Sequence, residues 1–448
     1  MNIALHLKKE LKSIGMDDVV VTVINSEGSQ VKFSNNKVVK TGTEGLLDIN
    51  VFTVKDKKII TTSFKDYVGG IIDDPIDREG LIYKKIDYFV KKVGSYIKYA
   101  HPNPNYNGIA DGPFKYKEIQ DGYDKKIDDV NEVDLVEKAM NAAFKQGAKR
   151  ADGILETQKA KICLVTSNKV EVEDKLTSFY LSLRAFVNKE ASGHMTACSR
   201  MFNKFDVESV GKRAGEIAKM SLNPIPGPDG KFDIVFDHIP TSVLAGRIMD
   251  AASIFSVESG LSFLHASLNK KIGNFSLIDD GTLENGYGSM KFDMEGVPTQ
   301  RNVVINDGVL KTYLHNTSTA KRYKTKTTAS AGLISPHEFN IILDGKKGNL
   351  FDNVKNGIYV TNVWYTRFQN YSTGEFSTIP RDGAFLIKNG KIGQPIKNIR
   401  VSDNMLNIMK NLEFVSKERV QLRSWESENP SVIPKILVRN VNVTKPTI

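Results

Sequence analysis

The stretch "VVVTVINSEGSQVKFSNNKVVKTGTEGLLDINVFTVKDKKIITTSF", residues 19–64, is a series of β-branched runs broken by short polar groups. Leu47, Ile49 and Val51 alternate with Asp48 and Asn50, the two-residue period of a strand with one covered face. The breaks "SEGS", "SNNK" and "VKDKK" carry the turn residues of an antiparallel meander. Upstream, Ala4, Leu7, Leu11 and Ile14 follow the 3.6-residue period of an amphipathic helix that stops at Gly15. Downstream, Ile82, Ile86, Phe89, Val93 and Ile97 predict a helix over 79–98.

The pattern then returns. Leu135, Ala139, Met140 and Ala143 predict a helix over 131–146, and a second meander follows in "ILETQKAKICLVTSNKVEVEDKLTSFYLSLRAFVNKEASGHMTACS", residues 154–199. "KFSNNKVVK" resembles "LVTSNKVEV", and "LLDINVFTVKDKK" resembles "SFYLSLRAFVNKE", with turns at matching offsets. A closing helix over 207–221 carries Val207, Val210, Ala214 and Ile217 on one face. Residues 1–222 therefore read as two copies of a helix-plus-meander unit, with helices covering one face of an antiparallel sheet. "NPIPGPDG", 223–230, is a linker, and 231–448 forms a second, β-rich domain. That domain has one prominent helix, opened by Pro240 and running to Glu258, and a C-terminal helix over 402–414. The expected class is α+β.

Composition narrows the functional classes. The chain has 448 residues, with 40% hydrophobic and 25% charged, ordinary for a globular protein of two or three domains. No apolar run approaches the roughly 18–20 residues that a membrane-spanning helix needs. The first residues lack the apolar core of a secretion signal, so the expected compartment is the cytoplasm. The 62 basic and 52 acidic residues are dispersed, which argues against a nucleic-acid surface despite the net charge of +10. The two cysteines, Cys163 and Cys198, lack the spacing of a redox or metal pair. Cys198 lies four residues from His194, but strand alternation favours ordinary meander positions for both.

No two of the seven histidines lie within one helical turn of each other, so no local zinc-hydrolase pair exists. A GxSxG elbow, a GxxxxGK[ST] loop and a GxGxxG turn are also absent.

One region is dense in chemistry. "FDMEGVPTQRNVVINDGVLKTYLHNTSTAKRYKTKTTASAGL", 292–333, places Asp293, Glu295, Gln300, Arg301 and His315 close together. Its D-x-E-G-x-P and I-x-x-G-x-L segments resemble the TldD/PmbA family, named for modulation of DNA gyrase. A second segment, "VTNVWYTRFQNYSTGEFSTIPRDGAFLIKNGKIGQPIKNIRVSDN" (360–404), resembles that family's T-G-x-(F/L)-S motif, followed by an I-x-N-G-x-I turn. The resemblance covers nearly the whole chain. It implies a metallopeptidase made of two kinds of subunit. The TldD kind carries HExxxH on the first helix of the C-terminal domain and a cysteine ligand near the C-terminus; the TldE (PmbA) kind lacks both.

Aligned from "SGLSFL", the HExxxH window falls on "AGRIMD", with Ala245 and Asp250 at the histidine positions and Gly246 at the glutamate. No cysteine follows Cys198. The resemblance thus implies a TldE-like subunit with no cofactor of its own, zinc residing in a TldD-like HExxxH partner of a heterodimer. Unfolded or short peptides are the implied substrates. The alternative is a binding protein that modulates a topoisomerase or nucleic acid, as the family's older name suggests.

Two roles stay open for the polar residues of 292–316. Asp293 and Glu295 either fix a turn before Pro298 or line a peptide cleft; Gln300 and Arg301 either bond backbone across neighbouring strands or face that cleft, as does His315. Trp364 and Tyr365 beside Arg367 suit either a core strand or an interface anchor.

Overall fold

The computed structural model describes residues 1–67, 75–427 and 429–445; the side chains of 67 and 75–82, Ile82 among them, lie outside what is described. In chain order the first half contains α1 (Asn2–Ser13), β1 (Asp18–Ser34), β2 (Lys37–Lys55), β3 (Lys58–Tyr67) and α2 (Pro75–Tyr96). These are followed by α3 (Glu132–Lys145), β4 (Arg150–Thr166), β5 (Glu171–Phe186), β6 (Ser192–Ser199) and α4 (Val207–Met220). The strands form one six-stranded sheet in the order β3-β2-β1-β4-β5-β6, so two meanders lie side by side, joined by antiparallel β1 and β4.

Alternation along β1 sorts its two faces. Val19, Val21 and Val23 pack with Ala4, Leu7 and Leu11 of α1 and with Ile86, Val90 and Val93 of α2. α3 and α4 cover the second meander in the same way, through Val136, Ala139, Val210 and Ala214. Val20, on the opposite face, joins Ile162, Leu164, Val170 and Val172 against Phe292 of the second half. The sheet is therefore covered on both sides, by its own helices and by the rest of the chain.

"SEGS" is not a turn. β1 runs unbroken through it, because residues 26–29 are paired with β2 on one side and β4 on the other. Two ladders outweigh the local preference of Ser and Gly. The other two breaks are turns, with positive φ at Asn35, Asn36, Asp56 and Lys57. Ile14, expected on the buried face of α1, is 37% exposed and follows the helix end.

The second half contains β7 (Ile225–Pro226), β8 (Gly230–Phe236), α5 (His238–Ala251), α6 (Ile254–Glu258), β9 (Phe275–Asp280), β10 (Arg301–Asn306), β11 (Val309–Leu310) and α7 (Thr317–Arg322). Then come β12 (Ile341–Gly345), β13 (Asn356–Val360), β14 (Val363–Asn370), β15 (Glu375–Pro380), β16 (Ala384–Lys388), β17 (Lys391–Lys397), β18 (Arg400–Asn404), α8 (Met405–Asn411), β19 (Leu412–Leu422) and β20 (Ser431–Thr444). Fourteen of these strands make a mixed sheet in which β20 lies beside β8, β12, β18 and β19. The class is α+β with a β-rich C-terminal region. Among the described residues no helix is long and apolar enough to cross a membrane.

α5 starts earlier and ends sooner than expected. Asp237 caps it by accepting from the His238 amide at 2.8 Å, which puts Pro240 inside the first turn, where no intrahelical donor is needed. The chain turns at Ala252 and Ser253 before the short α6. α8 is likewise shorter than the expected 402–414, because β18 continues to Asn404 and β19 begins at Leu412.

Candidate functional site

α5 is buried along nearly its whole length, against β8, β20 and the core built on Phe236, Leu277 and Ile436. One strip of it escapes. Val243, Gly246, Arg247 and Asp250, at helical spacing, line a cavity of about 470 Å³ closed by Arg367, Trp425, Glu426, Ser427 and Asn429. The structure divides the "AGRIMD" window. Gly246 and Asp250 face the cavity, whereas Ala245 lies in the hydrophobic core.

The cavity is ringed by opposite charges. Glu426 accepts from the Thr366 amide at 2.7 Å and from Arg367 Nη1 at 3.1 Å. Arg247 Nη1 lies 3.3 Å from Asp250 Oδ2. Behind Asn429, burial first and then the nearby Asp250 hold Glu338 well above the usual carboxylate range.

Beside the cavity stands an aromatic wall. The rings of Trp364 and Trp425 meet edge to face, 4.6 Å between centroids, and Tyr365 lies 5.9 Å from Trp364. Tyr365 has φ +55° where β14 slips register against β15, two residues facing one. That bulge turns Tyr365 outward, 53% exposed, with Trp425 at 45%. The Arg367 guanidinium reaches over the Tyr365 ring at 5.8 Å.

The 292–316 stretch lies elsewhere, where the second half meets the first sheet. Asp293 is buried and accepts from the amides of Glu295, Val297 and Ala331 at 2.9–3.0 Å, so it organises the turn before Pro298. Glu295 accepts from the Thr317 amide at 3.1 Å at the start of α7 and borders a second cavity, which Tyr106 and Phe52 also line. Burial, reinforced at Asp293 by the charge of Glu295, raises both carboxyls above their ordinary range. Among the described residues the Arg301 side chain bonds no backbone group across the strands. Its Nη1 meets the carboxylate of Asp280, opposite it in β9, at 2.7 Å. Gln300 does reach a carbonyl, that of Thr327 at 3.2 Å, and also Asn302 Oδ1 at 2.8 Å. His315 is buried against Tyr323, its amide bonded to Thr328 Oγ1, and burial lowers its ring pKa to about 4.

His194 and Cys198 are not a nucleophile pair. His194 bonds Ser182 and Asn362, and burial lowers it to about 4; Cys198 is buried, its thiol pushed above the usual range. Sequence reasoning missed Trp425 and Glu426, which complete the α5 cavity. Their segment has no periodicity, and only the lone Trp offered a signal.

Residues 117–222 match the model of the PmbA/TldA metallopeptidase central domain, and residues 229–445 that of its C-terminal domain. The chain belongs to the PmbA/TldD metallopeptidase family. An uncharacterised relative from Methanocaldococcus jannaschii is 29% identical over 374 residues, 81% of this chain and 83% of that protein. A protein named metalloprotease from Methanothermobacter thermautotrophicus is 26% identical over 315 residues, 64% of this chain and 68% of its own. The fold matches that of TldE from Thermococcus kodakarensis, with a TM-score of 0.84 at 18% identity, covering 99% of this chain and 100% of that one.

The family resemblance implies zinc at the HExxxH window, and the side chains at the α5 cavity do not fit that ion. Zinc takes imidazole, thiolate or carboxylate donors that converge on one point. Here Ala245 and Gly246 offer no side-chain donor atom, one oxygen of Glu426 is engaged by Arg367 while the other is buried without a hydrogen-bond partner among the described residues, and Arg247 adds a second cation. Among the described residues no group of three or more His, Cys, Asp or Glu is placed to hold a metal ion. In this PmbA/TldD chain the cavity is a polar, aromatic-edged recess.

Proposed function

We propose that this chain is the TldE-like, zinc-free subunit of a TldD/TldE-type metallopeptidase. It combines in the cytoplasm with an HExxxH-bearing partner to enclose unfolded or short peptides. The single observation that carries this reading is the donor set on α5. The helix, its cap and the cavity are built, yet Ala245, Gly246 and Asp250 stand at the HExxxH positions, a single carboxylate where two imidazoles and a base are needed. In the complex this chain supplies half of the chamber wall, and the zinc and its water belong to the partner. Tyr365, Trp425 and Arg367 present the exposed aromatic and guanidinium groups that dominate interfaces. Two free, buried thiols suit a reducing compartment.

Co-expression with an HExxxH-bearing family member from the same genome tests the reading. The expected result is a co-purifying pair with one zinc per pair that degrades denatured protein, while this chain alone binds no zinc and cuts nothing. Stoichiometric zinc and peptide cleavage by the isolated chain would overturn it.

A further inference from the structure

A cleft separate from the α5 cavity runs between the two halves. It encloses about 380 Å³ between the β5–β6 hairpin and the ends of β15 and β17. Five cationic side chains line it against two carboxylates, and both carboxylates are taken. Asp382 is bonded by Arg184 at 2.9 Å, by Ser192 at 2.6 Å and by Asn362 at 3.0 Å; Glu190 is bonded by Lys397. Three cations are left over. Among the described residues, the side chains of Arg381 and Lys189 have no hydrogen-bonding or ion-pair partner, and Arg400 has only Ser377 Oγ at 3.1 Å.

Arg381 is nonetheless held in place. Its guanidinium lies 3.7 Å from the Trp364 ring centroid, with Arg184 at 4.7 Å from the same ring. Stacking fixes the plane of the fork and leaves its N–H edge free, the arrangement that receives a carboxylate through two parallel bonds. The ion pairs to Asp382 and Glu190 cross from one half to the other, so the walls are set before any ligand arrives. The rest of the lining mixes apolar groups, Phe186, Ile379, Pro395 and Ile399 among them, with the polar side chains of Ser192, Ser221 and Asn398. An inorganic anion has no use for such a surface, whereas the last residue of a peptide does.

The geometry points to this cleft as a binding site for the C-terminal carboxylate of a peptide, with Arg381 and Arg400 receiving the charge and the apolar wall receiving the terminal side chain. The peptide as source rests on the function proposed above; the anion site itself does not. Trp364 joins the two recesses, its ring meeting Trp425 beside the α5 cavity and Arg381 beside the cleft. A chain end seated on Arg381 thus leaves the preceding residues close to that cavity.

The test titrates the full chain, alone, with three N-acetylated tetrapeptide probes and with inorganic phosphate, by calorimetry and by tryptophan emission. Trp364 and Trp425 are the two tryptophans present, so a ligand on Arg381 reports directly. The probes are a leucine-ended free acid, its C-terminal amide, and an amide bearing a glutamate side chain. The free acid is expected to bind at least about tenfold tighter than its amide, the low end for a charge-assisted bond. Arg381→Gln, at an exposed position, abolishes that difference, and Arg400→Gln reduces it should the first variant prove unstable. Equal affinity for acid and amide would overturn the site; phosphate or the glutamate amide binding as tightly as the free acid would overturn its assignment to a chain terminus. No partner subunit enters the titration, so failure of the heterodimer leaves this result standing, and the reverse also holds.

Discussion

Arg213 of α4 donates to Asp237, the residue that caps α5, at 2.8 Å, and so ties the first half's last helix to the second half's central one. Asp237 is buried. Burial would raise its carboxyl, but the bond from His238 and the charges of Lys435 and Arg213 outweigh it and hold the group far below the usual carboxylate range. Tyr359 also bonds it. A depressed carboxyl contributes stability that is present above its ordinary pKa near 3.8 and is lost as pH falls through its folded value. Arg213→Met leaves that buried charge short of a partner. The expected loss is about 3 kcal/mol at pH 7, the low end for breaking a buried pair, because Arg213 is itself partly exposed. Urea unfolding measures it, and a loss under about 1 kcal/mol would mean the tie is incidental.

The Asp293–Glu295 pair has the opposite sign. Both carboxyls are raised in the folded protein, so from about pH 4.5 upward the unfolded chain ionises while the folded pair keeps its protons. Stability therefore falls as pH rises toward neutrality and levels off once the pair has ionised. Glu295→Gln preserves an acceptor for the Thr317 amide and removes one charge. Between pH 5 and pH 8 the variant is expected to lose at least about 1 kcal/mol less than the wild type in urea midpoint measurements. Parallel curves for the two proteins would contradict this origin.

The repeat was legible because strand period and turn residues are local signals. Val19–Val21–Val23 and Val20–Ile162–Leu164 sort to opposite faces as alternation requires. "SEGS" failed for a non-local reason: β4, more than a hundred residues away, supplies the second ladder that keeps β1 straight. The start of α5 was missed because Asp237, a good cap, stood just before the more conspicuous Pro240. The candidate site was half legible. Gly246, Asp250 and Arg367 face one cavity, but the residues that close it, Trp425, Glu426, Ser427 and Asn429, lie outside helix and strand and are distant in sequence. Asp293 and His315 stood out by residue type, and the fold buries both.

The cysteines offer a check on packing. Burial raises the thiols of Cys163 and Cys198, the first also through the bond it donates to Glu173 at 3.2 Å. The thiolate is the reactive form, so labelling with a disulfide reagent at pH 8 is expected to run at least about tenfold slower than for a free thiol. In denaturant both sulfurs should react together. Rapid labelling of Cys198 in the native protein would show that the seam between β5 and β6 opens.

Tyr365 separates the needs of the fold from those of binding. Its φ of +55° is unfavourable for a side-chain-bearing residue, and its ring is more than half exposed, so the isolated chain gains little by keeping it. Tyr365→Gly removes the strain and is expected to raise stability by roughly 0.5–1 kcal/mol, as far as the lost ring contacts with Trp364 and Trp425 allow. If this wall is the surface the HExxxH partner covers, the same change weakens the complex by about 2 kcal/mol, close to thirtyfold in Kd. A thermal melt of the isolated chain reads the first effect, and titration of labelled chain with partner reads the second. A variant that is more stable yet binds as well as the wild type would place the interface elsewhere and leave the bulge to the peptide.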